Sequence, residues 1–442
     1  MSENNRPERE SDQLVDRLRR GEGKVGVIGL GYVGLPLSLS FTEAGFHVRG
    51  FDINKDRVKR LLNADSYVDD ITDDRLETGL NSGFTPSAGS EIVADCDVYV
   101  ITVPTGMRGD GPDMTAIKSA AETVGAQSGP GETLVVVSST VYPGATAELV
   151  APIVNERRDT PAYVAMVPER INPGGTYDFE DIPLVVGGDT ETARRSASIL
   201  FDRLVVETHP VDSTDTAELT KTLENTYRMI NIALVNELVT LTEGLNANIW
   251  DAIDAAATKP FGFQAFRPGP GVGGHCIPVD PQFLSWRAND IGTDVSFIDD
   301  AHEVNERMPT LVADRLQMFL RGRGIDISEA SIVVLGLSYK PNIGDTRNSP
   351  AMRILEKLPE TAAVTVVDPH VDQESSPYSI TQWLADADLA GADVVLLLVD
   401  HDDFDLDAVG EAASFVFDTR NAMPEGVPAD VVTLGGADNN DR

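Results

Sequence analysis

Cys276 lies in the run Gly269-Pro270-Gly271-Val272-Gly273-Gly274-His275-Cys276-Ile277-Pro278-Val279-Asp280-Pro281, one of only two cysteines in 442 residues, with a carboxylate four positions on. Glycines beside a thiol let backbone N–H groups crowd around one point, which favours a thiolate and any oxyanion formed next to it. A free cysteine is also common core filler. The local residues therefore admit a nucleophile or an inert thiol in a tight turn.

A second constellation points to a cofactor. Lys24 to Ile28 reads as an apolar strand running into Gly29-Leu30-Gly31-Tyr32-Val33-Gly34, after which Leu35 to Ala44 has helical spacing. In a strand, glycine turn and helix of this kind, the first glycine permits the turn. The second lets the backbone approach a pyrophosphate, and the third allows close helix packing. A second strand, Phe46 to Phe51, ends in Asp52, placed to accept hydrogen bonds from a ribose 2′-hydroxyl. A carboxylate there repels a 2′-phosphate, so NAD is expected over NADP, although Lys55 and Arg57 stand nearby.

The elements that must position these groups follow from pattern. Further β-rich runs at Asp97–Pro104, Thr133–Ser138 and Tyr163–Val167 extend the first domain into an open parallel sheet. Its strand ends gather Thr102 to Thr105, Ser138 to Thr140 and Pro168 to Arg170. Apolar residues at Leu219, Leu223, Tyr227, Ile230, Leu234, Leu238 and Leu241 predict one helix from Ser213 to about Gly244, a dimer seam or an intramolecular bridge. Strands at Ser331–Leu337, Ala363–Asp368, Ala392–Val399 and Ser414–Asp418 predict a second, smaller doubly wound domain. Its first turn lacks two of the three glycines and is not expected to hold a second NAD. The fold class is thus α/β, two Rossmann-like domains joined by a long helix and a helical domain. The expected boundaries are a disordered extension 1–20, a cofactor domain 21–211, a central domain 212–321, a C-terminal domain 322–434 and a disordered tail 435–442.

Composition limits the partners. The formal net charge of −36, with 71 acidic against 35 basic residues, gives a field that repels nucleic acid and anionic membranes. No apolar run reaches membrane-spanning length and the N-terminus lacks a signal peptide's apolar stretch, so a cytoplasmic protein is expected. Acid spread along the whole chain suggests a halophilic surface, tolerable where molar salt shortens the Debye length to a few ångströms. Only 8 of the 35 basic residues are Lys, so each Lys inside a motif is informative. The histidines show no ligand spacing and no metal is expected; Cys96 reads as packing.

On these residues the chain resembles the UDP-glucose/GDP-mannose dehydrogenase family, NAD-dependent enzymes that oxidise a nucleotide sugar twice at C6 to a uronate. The motifs are Gly29 to Pro36, Val103-Pro104-Thr105, Ser139-Thr140, Pro168-Glu169-Arg170, Leu219-Thr220-Lys221 with Glu224 to Tyr227, the Cys276 loop, and Lys340-Pro341 with Asp345-Thr346-Arg347. The resemblance implies Cys276 as the nucleophile that forms a thiohemiacetal and then a thioester. It implies Lys221 and Asn225 at the developing oxyanion, Asp280 at the hydrolytic water, and Thr140 with Glu169 holding a water near C6. Implied cofactor positions are Gly29, Gly31, Tyr32, Val33, Gly34, Asp52, Arg57, Thr105 and Thr140. Implied substrate positions are Glu169, Arg170, Lys221, Asn225, Arg267, Gly271, Lys340 and Arg347. A homodimer or larger assembly, and a uronate destined for polysaccharide or glycoprotein glycans, are further implications.

Pro168 to Gly174 and Thr258 to Phe263 resemble the branch acting on UDP-N-acetylhexosamines, with N-acetylmannosamine and N-acetylglucosamine both open and UDP-glucose as the alternative. Gly106, Tyr142, Leu184 and Gly344 depart from the family pattern. A catalytically silent NAD-binding sensor is the competing class, and the intact set of Cys276, Lys221 and Asp280 argues against it.

Overall fold

The computed structural model describes residues 11–68, 71–171, 175, 177–245, 247–373 and 376–436. It divides into two compact units, Met1–Glu224 with Trp286–Thr293 and Asn225–Ser285 with Asp294–Arg442.

Unit one is built on an eight-stranded sheet: β1 (Lys24–Ile28), β2 (His47–Phe51), β3 (Phe84–Ser87), β4 (Val98–Ile101), β5 (Leu134–Val137), β6 (Tyr163–Met166), β7 (Leu184–Gly188) and β8 (Thr208–Pro210). The order is β8-β7-β6-β5-β4-β1-β2-β3. Strand β1 pairs in parallel on both sides, Val25 opposite Val48 and Val98. The inner strands are apolar on both faces. Val98 and Val100 join one core while Tyr99 and Ile101 join the other, as a sheet covered on both sides requires. The pattern predicts an open parallel sheet, but the sheet is not wholly parallel. Strand β7 runs antiparallel to β6, with Ala165 opposite Gly188, and β8 follows β7. The edge strands β8 and β3 carry Pro or polar residues and lack the apolar run that marks the inner strands, while β7, inside β8, buries Leu184, Val185 and Val186 before its two glycines.

The expected disordered extension also needs correction. Residues Ser11–Arg20 form helix α1, which buries Leu14 and Leu18 in one cluster with Leu200 and Phe201. Its apolar residues are few but fall on one stripe, and that stripe is enough to dock it. Residues 1–10 and 437–442, at the ends of the expected extension and tail, lie outside the described residues, as do Asn172, Pro173 and Gly174.

Unit two holds a six-stranded parallel sheet: β9 (Ser331–Leu335), β10 (Ala363–Val367), β11 (Ile380–Thr381), β12 (Val394–Leu397), β13 (Phe415–Asp418) and β14 (Asp430–Thr433), in the order β11-β10-β9-β12-β13-β14. Strands β11 and β14 extend the four predicted ones. Helix α2 (Thr214–Leu245) starts in unit one and continues in unit two, close to its predicted span. After it come α3 (Ile249–Ala257), α4 (Asp280–Asp290) and α5 (Ser296–Gly322). Among the described residues no helix is long and apolar enough to cross a membrane.

Candidate active site

In unit one the turn after β1 is shaped by backbone contacts. Gly29 has φ +95°, a conformation that favours glycine, and Thr102 Oγ1 at the end of β4 donates to its carbonyl at 2.7 Å. A side chain at Gly34 would run into the Gly29 carbonyl, so this glycine lets the following helix, Gly34–Glu43, press against the strand end. Gly31 differs: a Cβ there would meet nothing within 4 Å. The open side of the turn is a cradle that a methyl would fill, which is what close approach of a pyrophosphate to the backbone needs. Asp52 is buried and accepts from Leu30 N at 2.8 Å, Asn54 N at 2.8 Å and Arg57 Nη1 at 2.9 Å. Two carboxylate oxygens have about four acceptor positions, so a ribose hydroxyl can still be taken on. Tyr67 donates to the Leu30 carbonyl and carries Arg57 over its ring. The residues present fit a bound dinucleotide. Tyr32 and Val33 complete the turn; Tyr32 is exposed and Val33 precedes the helix.

The neighbouring strand ends of unit one carry the next group. Thr105 Oγ1 donates to the Thr140 carbonyl at 2.7 Å and Ser139 Oγ to the Val103 carbonyl at 2.7 Å, tying the ends of β4 and β5 together. Glu169, beyond β6, accepts from Ile171 N, and burial raises its carboxyl pKa although Lys221 opposes the shift. Lys221 on α2 donates to the Glu169 carbonyl at 2.5 Å, and its Nζ lies 3.9 Å from Glu169 Oε2. Arg170 is clamped by Glu224 and donates to the Pro183 carbonyl at 2.7 Å.

Sequence reasoning missed Glu218, one turn before Lys221. It is fully buried and accepts from Gly144 N at 2.6 Å and Thr146 N at 2.8 Å. Burial raises its carboxyl to about 7.

In unit two Cys276 is half-buried. Its carbonyl accepts from Asp280 N at 2.9 Å, which turns the chain into α4, and Asn225 Nδ2 donates to Asp280 Oδ2 at 2.5 Å. Arg228 Nη2 in turn donates to Asn225 Oδ1. The Cys276 backbone, the Asp280 carboxylate and the Asn225 amide therefore belong to one connected local structure. The glycines before Cys276 do something other than the expected crowding of N–H groups. Gly274 N donates to the Arg347 carbonyl at 2.9 Å, while a Cβ at Gly273 would come within 2.7 Å of Tyr339 Cβ and one at Gly274 within 2.8 Å of its ring. They let the loop pass a tyrosine.

The same unit contains the expected substrate-side cations. Gly271, Lys340, Tyr339 and Arg420 line one pocket. Arg347 pairs with Asp345 at 2.6 Å, and Arg267 pairs with Asp254 and lies over Trp250. Asp368, at the end of β10, repeats the device of Asp52 by accepting from Leu337 N at 2.7 Å. Here His401 covers it, its Nε2 3.2 Å from Asp368 Oδ2, where a ribose would have to approach. Cys96 is buried in the unit-one core, and burial raises its thiol to about 11, so it packs and does not ionise.

Unit one is by these features a dinucleotide-binding Rossmann domain, and a protein with this turn, a second doubly wound unit and a glycine-loop thiol falls among the pyridine-nucleotide oxidoreductases. Residues 23–205, 215–307 and 333–425 match, in order, the NAD binding, central and UDP binding domains of the UDP-glucose/GDP-mannose dehydrogenase family, and the chain belongs to that family. It is 36% identical over 389 residues to Protein CapL of Staphylococcus aureus, covering 86% of this chain and 90% of the relative. It is 33% identical over 419 residues to UDP-N-acetyl-D-glucosamine 6-dehydrogenase of Salmonella typhi, covering 91% and 97%. The solved UDP-D-ManNAc dehydrogenase of Pyrococcus horikoshii superposes with a TM-score of 0.84 at 32% identity, covering 93% of this chain and 99% of that one. The chain is an NAD-dependent nucleotide-sugar dehydrogenase.

Proposed function

We propose that the enzyme oxidises the C6 hydroxyl of a UDP-N-acetylhexosamine to the carboxylate through a covalent adduct on Cys276. The observation that carries this reading is the Cys276–Asp280–Asn225 connection, a half-buried thiol one helical turn from a carboxylate held by an amide. NAD, when bound, accepts the hydride released at each oxidation, so two are reduced per sugar. The primary alcohol loses a proton and a hydride to become an aldehyde. Cys276 Sγ adds to the carbonyl carbon, and the thiohemiacetal loses a second proton and hydride to leave a thioester. Water then replaces sulfur, giving the uronate and a free thiol.

In this reading Lys221 and Asn225, one turn apart on α2, serve the charged oxygen. Asp280 orients the hydrolytic water and takes its proton. Thr140 and Glu169 hold a water near C6, and burial raises the Glu169 carboxyl, which favours its protonated form. Gly29, Gly31, Gly34, Asp52, Arg57 and Thr105 hold NAD, and Arg170, Arg267, Gly271, Lys340 and Arg347 face the UDP-sugar. Relatives named for N-acetylmannosamine and N-acetylglucosamine support the substrate class.

The same reading pairs two copies through α2, whose Leu219, Leu223, Tyr227, Leu234, Leu241 and Leu245 are each 43% to 61% exposed. The uronate would be consumed by glycan assembly. Acid-quenched enzyme from steady-state turnover should carry an acyl adduct on Cys276 by mass analysis, with two NADH released per sugar. Near-normal uronate formation by Cys276→Ala, or product without an adduct, refutes the mechanism. Comparison of kcat/KM for UDP-glucose, UDP-N-acetylglucosamine and UDP-N-acetylmannosamine tests the substrate, and a preference for UDP-glucose selects the alternative.

A further inference from the structure

We infer that Glu218 is a positioning residue that fixes the loop carrying Thr140 to the turn of α2 carrying Lys221. Its two carboxylate oxygens are divided between two donors on one loop end: Gly144 N reaches Oε2 at 2.6 Å and Thr146 N reaches Oε1 at 2.8 Å. Three residues, Val141 to Pro143, separate that anchorage from Thr140, and Val141 is itself buried. On the other side Thr140 is fastened by Thr105 Oγ1. One turn along α2, Lys221 donates to the Glu169 carbonyl.

Glu218 thus joins a chain of contacts inside unit one that runs from Thr140 through the loop to α2, Lys221 and Glu169. An acceptor-only group is needed there. A carboxylate receives both N–H groups, whereas an amide would receive one and set its own NH2 against the other. Glu218 touches none of the groups that react in the proposed chemistry. Its effect passes through Thr140 and Lys221, so the inference rests on the roles proposed for them.

The test is a double-mutant cycle on the full chain, with Glu218→Gln, Thr140→Ala and the double variant assayed for kcat and both KM values. Loss of one bond lets the loop end shift, and misplacement on the order of 1 Å costs about 100-fold. Glu218→Gln is expected to lower kcat by roughly 10- to 100-fold with KM for NAD and the UDP-sugar within about twofold, and by less than about threefold in the Thr140→Ala background. An equal loss in both backgrounds, or a lowered melting temperature with normal kcat, overturns the positioning role. If Glu218→Gln does not fold, Glu218→Asp, which keeps the charge and withdraws it by one methylene, enters the same cycle under the same criteria. A Thr140→Ala enzyme with unchanged kcat refutes instead the role proposed for Thr140. That result is separable from a slow Thr140→Ala beside a normal Glu218→Gln, which refutes the positioning role alone.

Discussion

The second and third glycines of the cofactor turn, Gly31 and Gly34, should fail in opposite ways when given a methyl group. At Gly34 the new Cβ would fall on the Gly29 carbonyl and stand 2.5 Å from Thr102 Oγ1, where ordinary contact begins at 3.4 Å. The Gly29 oxygen is the nearer atom, at 1.8 Å, so the helix must retreat by about 1.6 Å from a fully buried strand end to reach ordinary contact. Overpacking of that kind costs roughly 1–3 kcal/mol, occasionally more. At Gly31 the methyl meets nothing within 4 Å, and its φ lies outside the left-handed region. Gly31→Ala should leave stability within about 0.5 kcal/mol of the parent. It fills the cradle, however, and one displaced charge-assisted hydrogen bond to a phosphate, about 1.5–3 kcal/mol, weakens NAD binding roughly 10- to 150-fold. Denaturant unfolding without cofactor gives the first quantity and NAD titration followed by fluorescence gives the second. Equal destabilisation by the two variants, or NAD affinity unchanged in Gly31→Ala, would refute the assignment of the open face to the pyrophosphate.

Three further outcomes follow from the same structure. Glu218 has a folded pKa of about 7 against an ordinary 4.5, so its contribution to stability is fully present below 4.5 and is lost as the pH rises through about 7. Unfolding free energies from pH 4 to 8 should show a negative slope here, on the order of 3 kcal/mol in all, that flattens in Glu218→Gln; an identical slope in the variant contradicts the assignment. The net charge of −36 should make stability rise with salt, because the Debye length shrinks from about 8 Å at 0.15 M to about 3 Å at 1 M; a melting temperature independent of KCl across that range counts against a halophilic surface. Replacing Leu234 and Leu241 with Gln should leave each copy folded but lower the molar mass measured by light scattering, and an unchanged mass excludes α2 as the seam.

What could be read in advance depended on whether a structural demand leaves a residue type behind. Gly29 needs a positive φ and Gly34 a missing Cβ, so the turn is legible one residue at a time. Inner strands covered on both faces must be continuous apolar runs, and they were found. Strands β3, β8, β11 and β14 are sheet edges, where less burial is demanded, and their sequences pass for loops; β7 is buried throughout, but its apolar run is cut short by Gly187-Gly188. The Gly273-Gly274 pair was legible as a requirement for glycine but not as to its cause. The reason is Tyr339, more than sixty positions away, and a local reading of the loop cannot supply it.

Helix α2 shows where pattern reading misleads and why. A regular apolar stripe of this kind normally marks the face turned to the core. Here Leu219, Leu223, Tyr227, Leu234 and Leu241 face outward, while Glu218, Lys221, Thr222, Asn225 and Asn236 are buried. With Thr214, Thr226 and Thr242, eight polar side chains of α2 are buried, which is unfavourable where one is unsatisfied, as Thr226 Oγ1 is among the described residues. Glu218 takes two N–H groups, Lys221 the Glu169 carbonyl, Asn225 the Asp280 carboxylate and Asn236 the Asn305 side chain. The helix still buries Ala217, Met229, Ala233, Val235 and Val239, so the polar groups beside them and the exposed apolar stripe each call for a second reason. The inner face finds it in the groups proposed to act on the sugar, and the outer face in a partner that would cover the apolar stripe. One helix therefore links the two proposals. If light scattering shows a monomer at working concentration with the stripe intact, the outer face has lost its explanation while the inner face keeps its own.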